Sequence, residues 1–234
     1  MDKIVDSFLN LIFPKRCVGC STVGSYFCAS CLEVIGFCEI QTCPECRQPS
    51  IGGFVHPLCR RPWGAERTLC PFKFEGPIEK AIKALKYGGV RDLADELADL
   101  VLASFADQNI SFGQEAVILP VPLHPIKRLE RGFNQTDLLA QSLGRRLALS
   151  VWADLLLRQK ETPSQTRLNL EQRATNVRGA FRLSEESPKA RSLRDRDVII
   201  VDDVFTSGAT LRECAQVIKR AGARFVYLLA VAKD

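Results

Sequence analysis

The stretch Val-Ile-Ile-Val-Asp-Asp-Val-Phe-Thr-Ser-Gly-Ala-Thr, residues 198–210, decides the fold of this chain. Its four apolar residues, 198–201, predict a buried strand that carries Asp202 and Asp203 at its C-terminal end. The polar turn 206–210 leads into a segment whose apolar residues recur at helical spacing. A buried strand, a tight turn and a helix in this order predict one unit of a parallel α/β sheet.

The turn at 206–210 has the geometry that suits a phosphate group. The first N–H groups of a helix are unpaired, and together with the helix dipole they attract an anion. The carboxylates of Asp202 and Asp203 cannot favour that anion, so they must serve another part of the same ligand. Sugar hydroxyls and a magnesium ion are the natural candidates. The alternative is an ordinary strand, a solvated Asp-Asp turn and a helix capped by Thr or Ser.

These thirteen residues resemble the signature of the type I phosphoribosyltransferases, which bind 5-phosphoribosyl 1-pyrophosphate (PRPP). Neither G-x-G-x-x-G nor G-x-x-x-x-G-K-[ST] occurs, which argues against dinucleotide and P-loop sites. The resemblance implies that Asp202 and Asp203 hold the ribose and that Mg²⁺ binds together with PRPP. It also implies a set of residues around the 5′-phosphate: Thr206, Ser207, Gly208, Ala209 and Thr210.

Composition predicts a globular protein with an uneven charge. The 234 residues are enough for one ordinary domain and a small one, and 46% of them are hydrophobic. The net charge is +5, but residues 120–200 hold 15 basic and 9 acidic residues. A polyanionic partner would most naturally bind that central block.

Residues 1–16 form an amphipathic N-terminal segment. Its apolar run, 4–13, is too short for a membrane span, is interrupted by polar residues and has no basic lead-in. We therefore expect a packed or partner-binding helix rather than a signal peptide. The resulting prediction is a cytoplasmic protein without a membrane span.

Nine of the ten cysteines lie within residues 17–70, which predicts a separate module with two zinc sites. Paired C-x2-C motifs supply ligands at the spacing of zinc ribbons. The predicted ligands of the first site are Cys17, Cys20, Cys28 and Cys31, and those of the second are Cys43, Cys46, His56 and Cys59. His56 stands where a cysteine would complete the second pattern. It could instead be a loop residue, in which case Cys38 is the substitute ligand.

The metal in this module is expected to be structural. Disulfides are the competing explanation, but paired C-x2-C spacing and the absence of a secretory signal argue against them. The module has too few large apolar side chains for a core, so metal must supply its folding energy. Four protein ligands leave no open position for catalysis. Such a module grips nucleic acid or protein, or braces its neighbour.

The remainder, residues 71–234, alternates between strand and helix patterns, which predicts a parallel sheet with ligands at the strand C-termini. Segment 158–189 is polar and basic and is expected to include a flap. The predicted helices cover Ile78–Leu85, Leu93–Val101 and Leu138–Leu143, and the predicted strands cover 116–121, 151–157, 198–201 and 225–231.

The motif Arg-Gly-Phe-Asn-Gln at 131–135, beside the 198–210 signature and the zinc module, resembles the ComF/GntX (ComFC-type) family. Further support comes from Leu-Lys-Tyr-Gly-Gly at 85–89 and from Arg173 with Asn176. The resemblance implies a double zinc-ribbon domain over 17–70 joined to a type I phosphoribosyltransferase-like domain over 71–234. The basic residues expected to meet the pyrophosphate of PRPP are Lys127, Arg128 and Arg131.

The ComF resemblance implies a role in DNA uptake during natural transformation. Its expected ligands are PRPP or a related sugar phosphate and single-stranded DNA, and its expected partner is a competence helicase or another competence protein. Charge and exposed aromatic residues such as Phe133 would suit single strands.

Two other functions remain open. One is an active Mg²⁺-dependent phosphoribosyltransferase with an unidentified acceptor, whose catalytic residues would be Asp202, Asp203, Lys127 and Arg131. The other is a regulatory protein that senses PRPP and signals through the zinc module.

Overall fold

The computed structural model describes residues 14–160 and 177–234. Most of the predicted N-terminal segment, and both Arg173 and Asn176, lie outside these ranges. Within them, no helix combines the length and the apolar character that crossing a membrane requires.

In the described ranges, the main sheet has six parallel strands, and two further strands form a separate antiparallel hairpin. The strand order is β1-β8-β7-β3-β4, and β2 also pairs with β8. The strands are β1 (Arg67–Leu69), β2 (Phe72–Lys73), β3 (Val117–Pro120), β4 (Ser150–Val151), β5 (Leu156–Arg158), β6 (Phe181–Leu183), β7 (Val198–Phe205) and β8 (Val226–Lys233). The predicted α/β fold with a parallel sheet is confirmed.

The helices flank this sheet, and the three helices predicted before β7 are all present. The helices are α1 (Ala29–Glu33), α2 (Gly76–Tyr87), α3 (Leu93–Asp107), α4 (Pro125–Arg131), α5 (Gln135–Leu147) and α6 (Ala209–Arg220). Asn134 caps α5 as expected, because its side chain accepts a hydrogen bond from the Thr136 N–H.

The central strand β7 is buried on both faces, which explains its unbroken apolar run. Ile199 and Val201 pack into a core shared with α2, α3 and α5. Val198 and Ile200 pack into a second core with α6 and the hairpin. Burial of each such side chain stabilises the fold by about 1.5–3 kcal/mol.

Two predicted strand boundaries are wrong. Strand β7 continues to Phe205 rather than ending before the acidic pair, because its backbone stays paired with β8 as far as Lys233. The single strand predicted over 151–157 is divided between two sheets. The Trp152 N–H donates to the Ile118 carbonyl, and after this hydrogen bond the chain leaves the main sheet. It then turns at Asp154, whose carboxylate pairs with Lys189 at 2.6 Å.

The cysteine-rich module is hydrogen-bonded to the sheet. The Val55 N–H donates to the Glu66 carbonyl, and the Glu66 N–H donates to the Val226 carbonyl at the start of β8. Strand β1, at 67–69, already belongs to the main sheet. The domain division at residue 70 stays a prediction.

Gly144 on α5 offers a test of how closely this helix packs on the sheet. A Cβ there would lie 2.5 Å from Val151 Cγ2 and 3.0 Å from the Leu149 carbonyl oxygen. We expect Gly144→Ala to lower the free energy of unfolding by about 1–3 kcal/mol, although the same change in an exposed helix stabilises by about 1 kcal/mol. Urea unfolding measures the difference.

Gly113→Ala is the matched control, because the nearest atom to its added Cβ would be 3.9 Å away. Its stability should stay within about 0.5 kcal/mol of the parent. A Gly144→Ala variant as stable as the parent would contradict the packing described for α5.

Candidate active site

A cavity of about 300 Å³ opens at the C-terminal ends of β3, β7 and β8. Eight of the residues predicted to bind PRPP line it: Lys127, Arg131, Asp202, Asp203, Thr206, Gly208, Ala209 and Thr210. The two other predicted residues do not line it. Ser207 is buried and its Oγ accepts a hydrogen bond from the Ala209 N–H at 3.3 Å. Arg128 lies exposed on α4.

The two adjacent carboxylates have different surroundings because side chains alternate along a strand. Asp203 points to the face that carries α2 and α5, and only 4% of it is exposed. Its Oδ1 lies 2.7 Å from Lys86 Nζ, and its Oδ2 accepts a hydrogen bond from Gln135 Nε2 at 2.6 Å. These two partners compensate a buried negative charge that would otherwise be costly.

Asp202 points to the opposite face and is more exposed than Asp203, although protein surrounds most of its carboxyl group. Its Oδ1 accepts the Asp203 N–H at 2.9 Å. Burial, followed by the charge of Asp203, raises the pKa of Asp202 to about 7, against the lowering effect of Lys86. A carboxyl group with such a pKa changes its charge near neutral pH, which is a feature of functional sites.

The turn between β7 and α6 is shaped by Gly208. This residue precedes α6 with φ +67°, a left-handed conformation that favours glycine. An added Cβ would also lie 2.4 Å from the Phe205 ring. The turn therefore places the start of α6, residues 209–211, in the wall of the cavity, and the N-terminus of a helix is a position that suits an anion.

The 131–135 motif has a separate physical role at each position. Arg131 donates a hydrogen bond to Gln135, and Gln135 donates to Asp203, so the motif orients one carboxylate. Gly132 ends α4 in the left-handed conformation, with φ +77°. Asn134 donates to the Val121 carbonyl at 3.1 Å, which connects the start of α5 to the end of β3.

Aromatic and cationic side chains lie next to each other on the rim of the cavity. The Arg131 guanidinium lies 5.1 Å from the centre of the Tyr87 ring, and Arg91 lies 4.8 Å from the centre of the Phe133 ring. Tyr87 is 76% exposed. Tyr87, Arg131 and Phe133 border a second cavity of about 430 Å³. This cavity shares Lys86, Tyr87, Lys127 and Arg131 with the first.

Lys86, Gln135 and Arg158 are among the cavity residues that were not predicted as ligands from the sequence. Lys86 reads as a helix-end cation, Gln135 as part of a motif, and Arg158 as flap charge. Arg158 follows two buried or partly buried leucines at the end of β5, and burial lowers its pKa while Asp202 raises it. An arginine at the end of an apolar run was the available signal for this residue.

Both groups of predicted metal ligands assemble in space. Within each group, the four ligand atoms all lie within 4.8 Å of one another. Tetrahedral Zn²⁺ with sulfur ligands requires sulfur atoms about 3.8 Å apart, so both groups fit the ion. His56 joins the second group, and its Nε2 lies 3.1 Å from the Pro49 carbonyl oxygen, a contact that orients a ligating imidazole.

The backbone around the first group favours a thiolate. Burial opposes ionisation of Cys17, but N–H groups of Cys28, Cys20 and Gly19 lower its pKa to about 6. All ten cysteines lie in the described ranges and are free thiols. Cys38 and Cys70 stand outside both groups, and burial raises the pKa of each.

Comparisons with known proteins place this site in a family. A model of the phosphoribosyl transferase domain matches residues 140–234. The chain is 33% identical over 192 residues to the DNA utilization protein YhgH of Escherichia coli K12, covering 79% of this chain and 80% of that protein. It is 28% identical to competence protein F of Haemophilus influenzae, covering 96% of this chain and 93% of that protein.

A more distant relative also matches nearly the whole length of this chain. Competence protein ComFC of Streptococcus pneumoniae is 22% identical over 227 residues, which is 96% of this chain and 92% of that protein. The two competence proteins therefore match nearly the whole chain, including the cysteine-rich module and the phosphoribosyl transferase domain. The chain belongs to the ComF family of competence and DNA utilization proteins.

Proposed function

We propose that this protein binds PRPP together with Mg²⁺ in the 300 Å³ cavity and handles single-stranded DNA at the adjoining rim. The observation that carries the proposal is the convergence of Asp202, Asp203 and the 206–210 turn on one cavity. An anion site and two carboxylates side by side match a molecule that has both a phosphate and free hydroxyls.

Three sets of residues around the cavity would contact three different parts of PRPP. The 5′-phosphate binds at the N-terminus of α6, in the turn 206–210. Asp202 and the remaining lone pairs of Asp203 accept hydrogen bonds from the ribose hydroxyls. Lys127 and Arg131 lie on the β3 side, where their charges attract the pyrophosphate. The bound Mg²⁺ would supply further neutralisation of that group.

The second candidate function is catalysis of phosphoribosyl transfer from PRPP, and the positions of the cationic side chains favour it. Lys127 and Arg131 would stabilise a pyrophosphate leaving group, while Asp202 and Asp203 would orient the ribose as positive charge develops at its anomeric carbon. The acceptor would be a nitrogen nucleophile.

The rim supports the single-strand part of the proposal. Tyr87 offers an exposed ring with the Arg131 guanidinium beside it, and Lys127 borders the same cavity. Aromatic stacking and cationic contacts to phosphates together bind single strands without sequence preference. The proposal places the protein in the cytoplasm, where a competence helicase or another competence protein would deliver or receive the strand.

Asp202 makes PRPP binding dependent on pH. Its pKa is raised to about 7 in the free protein, so below that pH the carboxyl is protonated and one of its oxygens no longer accepts from ribose. We expect the affinity for Mg²⁺-PRPP to rise as pH increases through about 7 and to level off above it. Calorimetric titrations below, at and above this pH measure the change.

Asp202→Asn should bind at least tenfold more weakly above that pH and lose the pH dependence, whereas the exposed Asp107→Asn should match the parent. Assays of the same samples for released pyrophosphate separate binding from turnover. If PRPP gives neither a heat of binding nor a shift in the melting temperature, the proposed PRPP binding is wrong.

Single-strand binding should depend on the stacked rim residues. We expect oligo-dT binding, followed by fluorescence anisotropy, to weaken steeply with salt. Tyr87→Ala should cost about 1–3 kcal/mol of binding free energy, the usual value for loss of one stacked base. Asp203→Asn should leave oligo-dT binding intact, because Asp203 does not line the second cavity.

Phe225→Ala is the matched control for Tyr87→Ala. Phe225 is also exposed and has Arg224 over its ring at 5.5 Å, but it lies at the N-terminal end of β8, away from the cavity. Equal losses in the two variants would exclude the rim as the contact surface, and no binding at low salt would exclude the single-strand role.

The two groups of four ligand residues predict that each chain binds two zinc ions, one in each group. We expect Cys59→Ser to retain one zinc ion and Cys38→Ser to retain two, since Cys38 lies outside both groups. Metal analysis of the purified proteins gives the stoichiometry. A loss of zinc in Cys38→Ser would reassign the fourth ligand.

A further inference from the structure

Arg212 connects helix α6, which follows the 206–210 turn, to the second group of metal ligands. It lies one turn into α6, and its Nη1 donates to the Glu45 carbonyl at 3.0 Å and approaches the Pro44 carbonyl at 3.5 Å. Both carbonyls belong to the turn between Cys43 and Cys46, two of the four ligands. The position of the guanidinium therefore depends on the conformation of that turn.

The backbone of the same residue contacts the phosphate loop. The Arg212 N–H donates to the Gly208 carbonyl at 2.9 Å, and Gly208 lines the PRPP cavity. One residue thus hydrogen-bonds the metal-binding turn through its side chain and the ligand-binding loop through its main chain. These contacts form a continuous chain of hydrogen bonds between the two sites, which is a physical route for coupling that has to be tested by measurement.

Arg212 is partly buried, so its guanidinium is only partly hydrated. Burial lowers the pKa of Arg212, Arg47 opposes its charge, and Glu45 and Cys43 favour it. Loss of the carbonyl acceptors would leave a partly desolvated cation with fewer hydrogen-bond partners, which is costly. Near the other end of α6, Lys219 pairs with Glu66 at 2.7 Å, whereas Arg212 lies at the loop end of the helix.

We propose that the second metal site is an effector site for the PRPP cavity, and that Arg212 is the positioning residue that couples them. Metal bound by Cys43, Cys46, His56 and Cys59 holds the carbonyls of Pro44 and Glu45 in place, and Arg212 then holds Gly208 in its binding conformation. This inference rests on the proposed binding of PRPP. Because coupling is reciprocal, PRPP must also strengthen metal binding at this site.

The first metal group provides an internal comparison. There the turn carbonyl of Gly19 accepts a hydrogen bond from Lys80 Nζ at 2.8 Å, but Lys80 is exposed and lies in the middle of α2. A solvated amine of this kind contributes little. PRPP should therefore leave zinc at the first group unaffected.

The test measures zinc transfer from the full-length protein to a chromogenic chelator, with and without Mg²⁺-PRPP. In the parent, we expect PRPP to slow the release of one zinc ion at least fivefold, the lower end of typical couplings, and to leave the other unchanged. The Cys59→Ser variant, with zinc only at the first group, identifies which ion is which. Arg212→Ala should release the second zinc faster and remove the PRPP effect.

Arg220→Ala, an exposed arginine at the end of the same helix, is the matched control and should behave like the parent. If Arg212→Ala does not fold, Arg212→Lys is used, which keeps the charge but not the planar donor group and should reduce the PRPP effect. Faster release from both groups, or a PRPP effect that survives in Arg212→Ala, overturns the inference.

The failures of the two proposals can be told apart. If PRPP binds and second-site zinc release does not respond to it, the coupling is wrong and the proposed function stands. If PRPP does not bind the parent, the proposed function and this inference both fail. In that case, the release rates of Arg212→Ala and Arg220→Ala show only whether Arg212 stabilises the metal group.

Discussion

The ion pair between Lys86 and Asp203 is the interaction on which the site depends. It joins α2 to the central strand, and Gln135 adds α5 to the same carboxylate. A buried Asp without these partners would be neutralised or excluded from the core. Because Lys86 and Gln135 compensate the charge, β7 can carry an acidic pair deep in the sheet. The helices that supply the partners also form one wall of the cavity.

Strand alternation gives the two carboxylates different properties. Asp203 is paired, buried and fixed in orientation, whereas Asp202 faces the hairpin side and has a raised pKa. The same alternation divides Val198–Val201 between two cores, which accounts for a strand with no polar residue before Asp202. Fold and site thus follow from one local property of extended chain: neighbouring side chains point in opposite directions.

Much of this could be predicted from local patterns. Apolar runs and helical spacing identified β7, α2, α3 and α5, and cysteine spacing identified both metal groups, including His56. The errors arose where pairing between distant segments decides the outcome. The end of β7 depends on β8, and the break after Val151 depends on β6, with which residues 156–158 pair in the hairpin.

The sequence by itself determined the α/β class, the two groups of candidate metal ligands, the turn after β7 and the acidic pair, because each is encoded by spacing within a short segment. Tertiary structure alone decided that Lys86, Gln135 and Arg158 border the cavity and that Arg212 contacts the turn between Cys43 and Cys46. These contacts join residues far apart in the chain, so no periodicity in the sequence records them. They depend on how helices and loops pack on the two faces of the sheet.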